Sequence, residues 1–377
     1  MKKRAELIVN LSVLKKNFSL VEEICNHKKT IVMIKANAYG HGDAEVYNTL
    51  KNFESLDGFG VASIEEALNL RKKTKCFKKP IVVFSDLFIK DNGYANDYAQ
   101  NKIIPVLSDF PSLEFFLNSV ECRGVPLFLK FNTGMNRLGF SEFDVVKIKK
   151  LLRRNGRNHV DHLMSHFSDA SSDGLKNQRQ LECFQKIKVA FMETNERVDV
   201  KNSSISNSDA IVNGLGLNET HVRPGLILYG PLKKSKKIEW KGKMVSQLRT
   251  HVINTFPVKK GDEIGYGSRP SPYEGLAHVL AIGYGDGIPT SFSEKIVSLP
   301  SGEAFILGRV NMDMTLIMFK DGNYSKKSQE FISIWENDPA LFSNLSSCAG
   351  ILDYELLCGL SDRVSRVYKV ADEESLS

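Results

Sequence analysis

Long apolar runs and clustered cysteines are both missing from this sequence. No stretch approaches the ~18–20 consecutive apolar residues that cross a bilayer, so no membrane partner is expected. The apolar stretch near the N-terminus is broken by Asn10, Ser12 and a lysine pair, which leaves too short a hydrophobic region for a signal peptide. The six cysteines form no C-x-x-C pair, which argues against a disulfide framework and against a zinc or other metal site. A reducing, cytoplasmic location fits this pattern.

The composition also lacks a strong excess of either charge. The 377 residues carry a formal net charge of +7, which is typical of a solvated basic surface or of attraction for small anions. Nucleic-acid binding would need clustered basic residues that are not evident. Hydrophobic content of 42% and charged content of 25% indicate a soluble globular protein and exclude a collagen-like or disordered chain. The length predicts roughly two domains.

Short apolar runs alternate with helix-like segments over the first two-thirds of the chain. The runs are β-rich and bounded by turn residues, as buried parallel strands are. They cover 31–34, 59–62, 81–84, 103–107, 127–131, 162–167, 203–206 and 226–229. Between them, Ser63–Glu66 and Ser141–Asp144 carry capping-box-like chemistry at helix starts. Eight such strands predict a closed (β/α)₈ TIM barrel, although a doubly wound open sheet would give similar runs.

The composition of the sequence changes at residues 231–243. This segment is basic and has few apolar residues, which is typical of an exposed connector. Beyond it, the segments 245–253, 277–282, 295–299 and 304–319 are rich in Val, Ile and Leu, with little helical periodicity. The sequence therefore predicts an α/β barrel domain over 1–235 and a mostly β C-terminal domain over 236–377.

Lys35 directly follows the apolar run 31–34 and so stands at the carboxyl end of a predicted strand. In a barrel of this type, the catalytic face lies at the carboxyl ends of the strands. Partial desolvation lowers a lysine pKa and favours Schiff-base chemistry. A lysine that only extends its ammonium group into solvent would have the same local sequence, so this position alone does not distinguish the two roles. The loop that follows, 36–42, is small, glycine-bearing and contains Tyr39. Small residues let a ligand approach the backbone, and a tyrosine hydroxyl can bind a phosphate oxygen.

The segment IVMIKANAYGHG (31–42) resembles the pyridoxal-phosphate attachment signature of the alanine racemase family. Eight further segments match that family's blocks in order and spacing: KFNTGMNRLGF (130–140), MSHF (164–167), SNSDAI (206–211), RPGLILYG (223–230), GYG (265–267), GYGDG (283–287), GRVNMDM (308–314) and DYELLCGLSDRVSRVY (353–368). So many blocks in register make the resemblance specific. It implies a pyridoxal 5'-phosphate cofactor, interconversion of L- and D-alanine, and a supply of D-alanine for cell-wall peptides.

The resemblance also implies which residues carry the reaction. Lys35 matches the lysine that holds the cofactor covalently and serves as one base, and Tyr266 matches the base on the opposite face. His166 and Arg223 match residues that hydrogen-bond towards this tyrosine, and the arginine faces the pyridine nitrogen. Because a guanidinium holds its proton firmly, the pyridine should stay unprotonated, which disfavours side reactions such as transamination.

Binding residues are implied by the same matching. Those that match the family's phosphate ligands are Tyr39, Ser208, the backbone amides of Gly225 and Leu226, and Tyr354. Arg137 matches an arginine that reaches the cofactor phenolate and the substrate carboxylate, and Met312 lines the other side of that carboxylate. Lys130 matches a lysine that many members carbamylate and that holds the arginine in place.

In the family, the residues matching Tyr266, Tyr284 and Met312 come from the partner subunit. The resemblance therefore implies a homodimer with shared active sites, since a monomer would lack its second base. Two positions depart from the family pattern. Asn132 replaces a usual aspartate near Arg137, and Thr290 replaces an arginine that lines the entrance in many members, which puts the strictness for alanine in doubt.

Three other functions are weighed against this one. A broader-specificity amino-acid racemase would share the fold, but its members are typically exported. A pyridoxal-phosphate decarboxylase would share barrel, lysine and β domain, yet decarboxylation needs no base on the tyrosine face. A cofactor-carrier barrel would have little use for the residues after the barrel.

Overall fold

Eight parallel strands of the first domain close into a barrel, as predicted. The computed structural model describes residues 3–85, 88–90, 93–172, 174–193, 197–231, 237–320 and 331–370. Each barrel strand pairs in parallel with its neighbours in chain order, and the last pairs with the first. The strands are Lys29–Met33, Leu56–Val61, Ile81–Val83, Ile103–Leu107, Phe128–Lys130, His162–Met164, Ser203–Ser204 and His221–Val222.

Helices alternate with these strands, and several of them begin at a side-chain cap. Ser63 accepts a hydrogen bond from the Glu66 amide at the start of one helix, and Asp109 does the same for Ser112. The α-helices of this domain are Leu11–Ile24, Asp43–Leu50, Ile64–Thr74, Tyr94–Gln100, Phe110–Asn118, Val145–Arg154, Leu175–Met192, Ser208–Val212 and Leu226–Tyr229, and Lys35–Tyr39 is a short left-handed turn. Short 3₁₀ helices span Phe88–Lys90, Glu121–Gly124 and Glu142–Asp144. A separate parallel pair joins His159–Val160 to Asp199–Val200.

One strand prediction is wrong. Residues 226–229 form the helix Leu226–Tyr229, and the eighth barrel strand is the two-residue His221–Val222. All four residues of that helix are buried, so their apolar run carries no amphipathic signal that separates a helix from a strand. The other seven predicted runs each overlap a barrel strand.

The second domain is mostly β, as predicted. Its sheet runs Ile296–Leu299, Gly302–Ile306, Thr315–Phe319, Gly275–Leu280, Ser246–Val258, Ala5–Asn10 and Ser365–Lys369, with Phe331–Trp335 also paired to Ser246–Val258. A hairpin joins Glu263–Ile264 to Arg269–Pro270, and 3₁₀ helices span Tyr284–Asp286 and Thr290–Phe292. Two helices, Pro339–Ala349 and Asp353–Cys358, complete it.

The first strand of the chain belongs to this second sheet rather than to the barrel. Ala5–Asn10 pairs antiparallel with Ser246–Val258 and parallel with Ser365–Lys369, which differs from the prediction that 1–235 all form the barrel. Local sequence specifies a strand but not its partner, so only the folded chain reveals this placement. The predicted connector lies partly outside the described residues, at 232–236. In the described ranges, none of the helices has the length and apolar character that a bilayer crossing requires.

Candidate active site

Lys35 lies just beyond the first barrel strand, at the start of a left-handed turn. Ala36, Asn37, Ala38 and Tyr39 all have φ between 51° and 54°. Each L-residue in this region costs roughly 1–2 kcal/mol, so the turn persists only because its surroundings hold it. The amide of Ala36 donates to Glu66 Oε1 at 2.8 Å, and the Asn37 Oδ1 accepts from the Asp43 amide at 3.0 Å.

Four cationic side chains converge around this turn. Burial lowers the Lys35 pKa, and the Arg137 charge lowers it further. Burial, followed by the charges of Arg223 and Arg137, lowers the pKa of Lys130 to about 8. Lys130 and Arg223 are buried, whereas Lys35 and Arg137 are exposed at the surface of the site. Mutually repelling cations are stabilised by a bound anion, so the site is suited to negatively charged ligands.

Arg223 is buried and held by neutral partners. Its guanidinium donates to Ser204 Oγ, to Ser165 O and, at 3.3 Å, to Ile205 O. Burial lowers its pKa to about 10, which still leaves it charged at neutral pH. A charge held by these oxygens presents a fixed hydrogen-bond donor to the site.

His166 lies against Arg223, with Nδ1 at 3.3 Å from an Arg223 Nη2 that can only donate. Burial, followed by the Arg223 charge, lowers the His166 pKa to about 3, so the imidazole is neutral near pH 7. Nδ1 therefore accepts and Nε2 carries the proton. That proton is available to an oxygen acceptor on the far side of the ring.

The residues expected to bind phosphate converge above the barrel. Ser208 Oγ accepts from the amides of Gly225 and Ile227 at 3.0 and 3.3 Å. The rings of Tyr39 and Tyr354 lie 5.9 Å apart, and burial raises the pKa of both phenols, which stay protonated donors.

Gly225 and Leu226 complete this cluster. The helix Leu226–Tyr229 begins there, and Ser208 rather than the N-cap residue Gly225 supplies the side-chain acceptor for its first amides. A Cβ at Gly225 would stand 2.6 Å from the Tyr39 hydroxyl, so only glycine fits. The strand that the sequence predicted at 226–229 would not have placed a helix start beside these hydroxyls.

Asn132 organises the loop that carries Arg137. Its Oδ1 accepts from the amides of Gly134 and Asn136 at 3.0 and 2.9 Å, and its Nδ2 donates to Asn136 Oδ1 at 3.0 Å. A carboxylate could accept the same two amides, and Asn136 could turn its amide to donate Nδ2 to it. The loop geometry is therefore compatible with asparagine here and with the family's aspartate.

The three candidate residues of the second domain lie on its surface. Tyr266, Tyr284 and Met312 are 73%, 45% and 52% exposed. The structure brings Tyr284 and Met312 together, because the Gly285 amide donates to Met312 O at 2.9 Å. Tyr266 is on the separate hairpin turn between Glu263–Ile264 and Arg269–Pro270, and Thr290 begins a 3₁₀ helix.

A polar column inside the barrel was missed by the sequence reasoning. Ser204 Oγ, which accepts from Arg223, lies 2.8 Å from His162 Nε2. The His162 ring contacts that of His221 at 4.9 Å, and His221 Nε2 lies 3.0 Å from Asp57 Oδ2. Isolated histidines in strands carry no sequence signal for such a chain of contacts. The contact between Glu66 and the Ala36 amide was also missed, although the capping-box motif marks Glu66 as a side chain that binds backbone amides.

Comparisons with known proteins agree with this arrangement. The chain matches the family model described as alanine racemase, N-terminal domain, over residues 9–233, and the one described as alanine racemase, C-terminal domain, over residues 245–368. An alanine racemase of Legionella pneumophila (strain Lens) is 31% identical, over 97% of this chain and 99% of the relative. One from Wigglesworthia glossinidia brevipalpis is 30% identical with the same coverage.

Solved structures share the whole fold. The alanine racemase from Acinetobacter baumannii superposes with a TM-score of 0.82 at 28% identity, over 98% of this chain and 100% of that chain. The one from Bartonella henselae, which holds covalently bound pyridoxal phosphate, gives 0.83 at 21% identity and the same coverage, and so shows the fold. Two family models that together span most of the sequence, and relatives 30–31% identical along nearly its full length, show that this protein belongs to the alanine racemase family.

Proposed function

We propose that this protein interconverts L- and D-alanine with pyridoxal 5'-phosphate, as a homodimer in the cytoplasm that supplies D-alanine for peptidoglycan. The observation that carries the proposal is the position of Lys35. Its amine has a lowered pKa and lies among other cations, of which Lys130 and Arg223 are buried, near the hydroxyls proposed to bind a phosphate. Family membership supplies the reaction class.

The residues present fit the cofactor. The hydroxyls of Tyr39, Ser208 and Tyr354 and the amide of Leu226 would donate to a phosphate, and the Gly225 amide, which here donates to Ser208 Oγ, would exchange that acceptor for a phosphate oxygen. Lys35 would hold the cofactor covalently, and the fixed donors of Arg223 would face its ring nitrogen. When bound, pyridoxal phosphate acidifies the α-hydrogen of an amino acid by delocalising the electrons left behind.

The chain's own groups would move the proton between two faces. The lowered pKa of Lys35 makes its Nζ easier to deprotonate than an ordinary lysine amine, and the neutral amine would accept a proton from one face. Tyr266 is the proposed acid–base group on the opposite face, with the His166 Nε2 proton available to stabilise an anionic oxygen. Arg137 and Met312 would hold the substrate carboxylate, and a carbamylated Lys130 would neutralise local positive charge.

The position of the second-domain residues supports the proposal that two chains share their active sites. Tyr266 is 73% exposed on its own hairpin turn, whereas Lys35 lies at the mouth of the barrel. A second copy could offer its Tyr266, Tyr284 and Met312 to this barrel. Mixing inactive Lys35→Ala and Tyr266→Phe proteins should then restore turnover through heterodimers. No recovery, with subunit exchange verified by mass spectrometry, would contradict shared sites.

The reaction itself is tested with single L-amino acids in deuterated water. Proton NMR should show loss of the α-hydrogen signal of alanine and the formation of D-alanine, which a chiral assay detects. Comparable exchange with L-serine or L-lysine would favour the broader-specificity racemase, a possibility that Thr290 at the expected entrance keeps open. Release of carbon dioxide instead would establish a decarboxylase.

A further inference from the structure

His41 connects the turn that carries Lys35 to the second domain. The histidine and Ser246, the first residue of the strand Ser246–Val258, are both fully buried. His41 Nδ1 lies 2.8 Å from Tyr39 O and 3.1 Å from Ala38 O, and its Nε2 lies 2.9 Å from Ser246 Oγ. One imidazole thus spans the two domains.

The tautomer of His41 follows from these partners. Two carbonyl oxygens can only accept, so Nδ1 must carry the proton and donate to them. Nε2 is then unprotonated and accepts from the Ser246 hydroxyl. Burial lowers the His41 pKa to about 4, so this neutral form prevails at neutral pH. The ring also stacks on Tyr229 at 4.7 Å, which fixes its plane.

Both carbonyls to which His41 donates belong to the left-handed turn. A turn of four non-glycine residues in this conformation is intrinsically unfavourable, so its shape depends on outside contacts. A second contact from the same domain supports it, since Arg366 Nε donates to Gly40 O at 3.1 Å. A Cβ at Gly40 would lie 2.4 Å from Leu357 O, so the second domain packs directly against the turn.

We propose that His41 is a positioning residue, which transmits the docking of the second domain through Ser246 to the turn that orients Lys35 and Tyr39. The inference rests on the proposed function only in that these two residues hold the cofactor. Loss of the Ser246 bond should loosen the turn while the rest of the barrel stays folded.

Three variants separate the two halves of the His41 contact. Ser246→Ala removes only the bond between domains. In His41→Asn the side-chain amide stands near Nδ1, so the carbonyl partners are kept and Ser246 is lost. In His41→Gln the amide reaches the position of Nε2, so Ser246 is kept and the carbonyls are lost. Thr250→Val is the matched control, because Thr250 is buried in the same strand and donates instead to Arg4 O.

The first measurement is hydrogen–deuterium exchange in cofactor-free protein, followed by mass spectrometry of the peptide covering 35–42. Ser246→Ala and His41→Asn should speed exchange there by about five- to tenfold, the effect of one lost buried hydrogen bond. His41→Gln should speed it at least as much, and Thr250→Val should not change it. Unchanged exchange in Ser246→Ala would overturn the proposal, whatever the protein binds.

The second measurement is titration of the cofactor-free proteins with pyridoxal phosphate, together with visible circular dichroism. Ser246→Ala and His41→Asn should bind about five- to tenfold more weakly and with an altered dichroic band, whereas Thr250→Val should match the wild type. If Ser246→Ala only lowers the melting temperature, as Thr250→Val does, His41 has a merely structural role and the proposal fails. A wild-type protein that does not bind pyridoxal phosphate would refute the proposed function but not the exchange result.

Discussion

Replacement of Gly225 by alanine should weaken cofactor binding through a single collision. The new Cβ would stand 2.6 Å from the Tyr39 hydroxyl, about 0.8 Å short of an ordinary contact, and 3.4 Å from Met33 Cβ. Tyr39 has little room to retreat, because its ring packs against Tyr229 at 5.1 Å and Tyr354 at 5.9 Å. The hydroxyl should therefore be displaced from its place among the phosphate donors.

The magnitude follows from the bond that is lost. A hydrogen bond to a charged group contributes about 1.5–3 kcal/mol, so the dissociation constant for pyridoxal phosphate should rise roughly 10- to 100-fold. Titration of cofactor-free protein, followed by absorbance, measures it. Gly124→Ala is the matched control, since nothing lies within 4 Å of its Cβ position.

A double-mutant cycle identifies the cause. In Tyr39→Phe the colliding oxygen is gone, and the nearest remaining ring atom would stand 3.4 Å from the new Cβ. Gly225→Ala should then have little further effect on binding. An equal loss in both backgrounds, or wild-type affinity for Gly225→Ala alone, would refute this account of the cluster.

Three further predictions concern other groups of the site. The pKa of Lys130 is about 8 in the folded protein, against an ordinary value of 10.5. Between these two pH values the unfolded chain binds more protons than the folded one. The free energy of unfolding should therefore rise with pH across that window, by up to ~3 kcal/mol. Urea denaturation of cofactor-free protein in carbonate-free buffer should show this rise in the wild type and not in Lys130→Met; equal slopes would contradict it. Tyr266→Phe should slow α-hydrogen exchange from one alanine enantiomer far more than from the other, and equal losses by NMR would argue against two opposed bases. Asn132→Ala should lower stability by about 1–3 kcal/mol in thermal melts, since the amides of Gly134 and Asn136 lose their acceptor, whereas Asn132→Asp keeps that acceptor and should change stability little; an unchanged melting temperature in Asn132→Ala would show that Asn132 does not hold the loop.

The sequence by itself determined the barrel, the β-rich second domain and the family. Buried parallel strands need continuous apolar runs, so seven of them were visible as such, and the helix starts at Ser63 and Ser141 were readable from their caps. Site residues were visible only as motifs, because residues that meet in space lie far apart along the chain.

Only the tertiary structure decided the rest. His221–Val222 is too short to give an apolar signal, and the helix Leu226–Tyr229 is buried on every side, so local periodicity could identify neither. The strand Ala5–Asn10 joins the distant sheet because its pairing partners lie far along the chain. The polar column behind Arg223 and the His41–Ser246 bond likewise depend on packing between elements, which no local pattern of residues encodes.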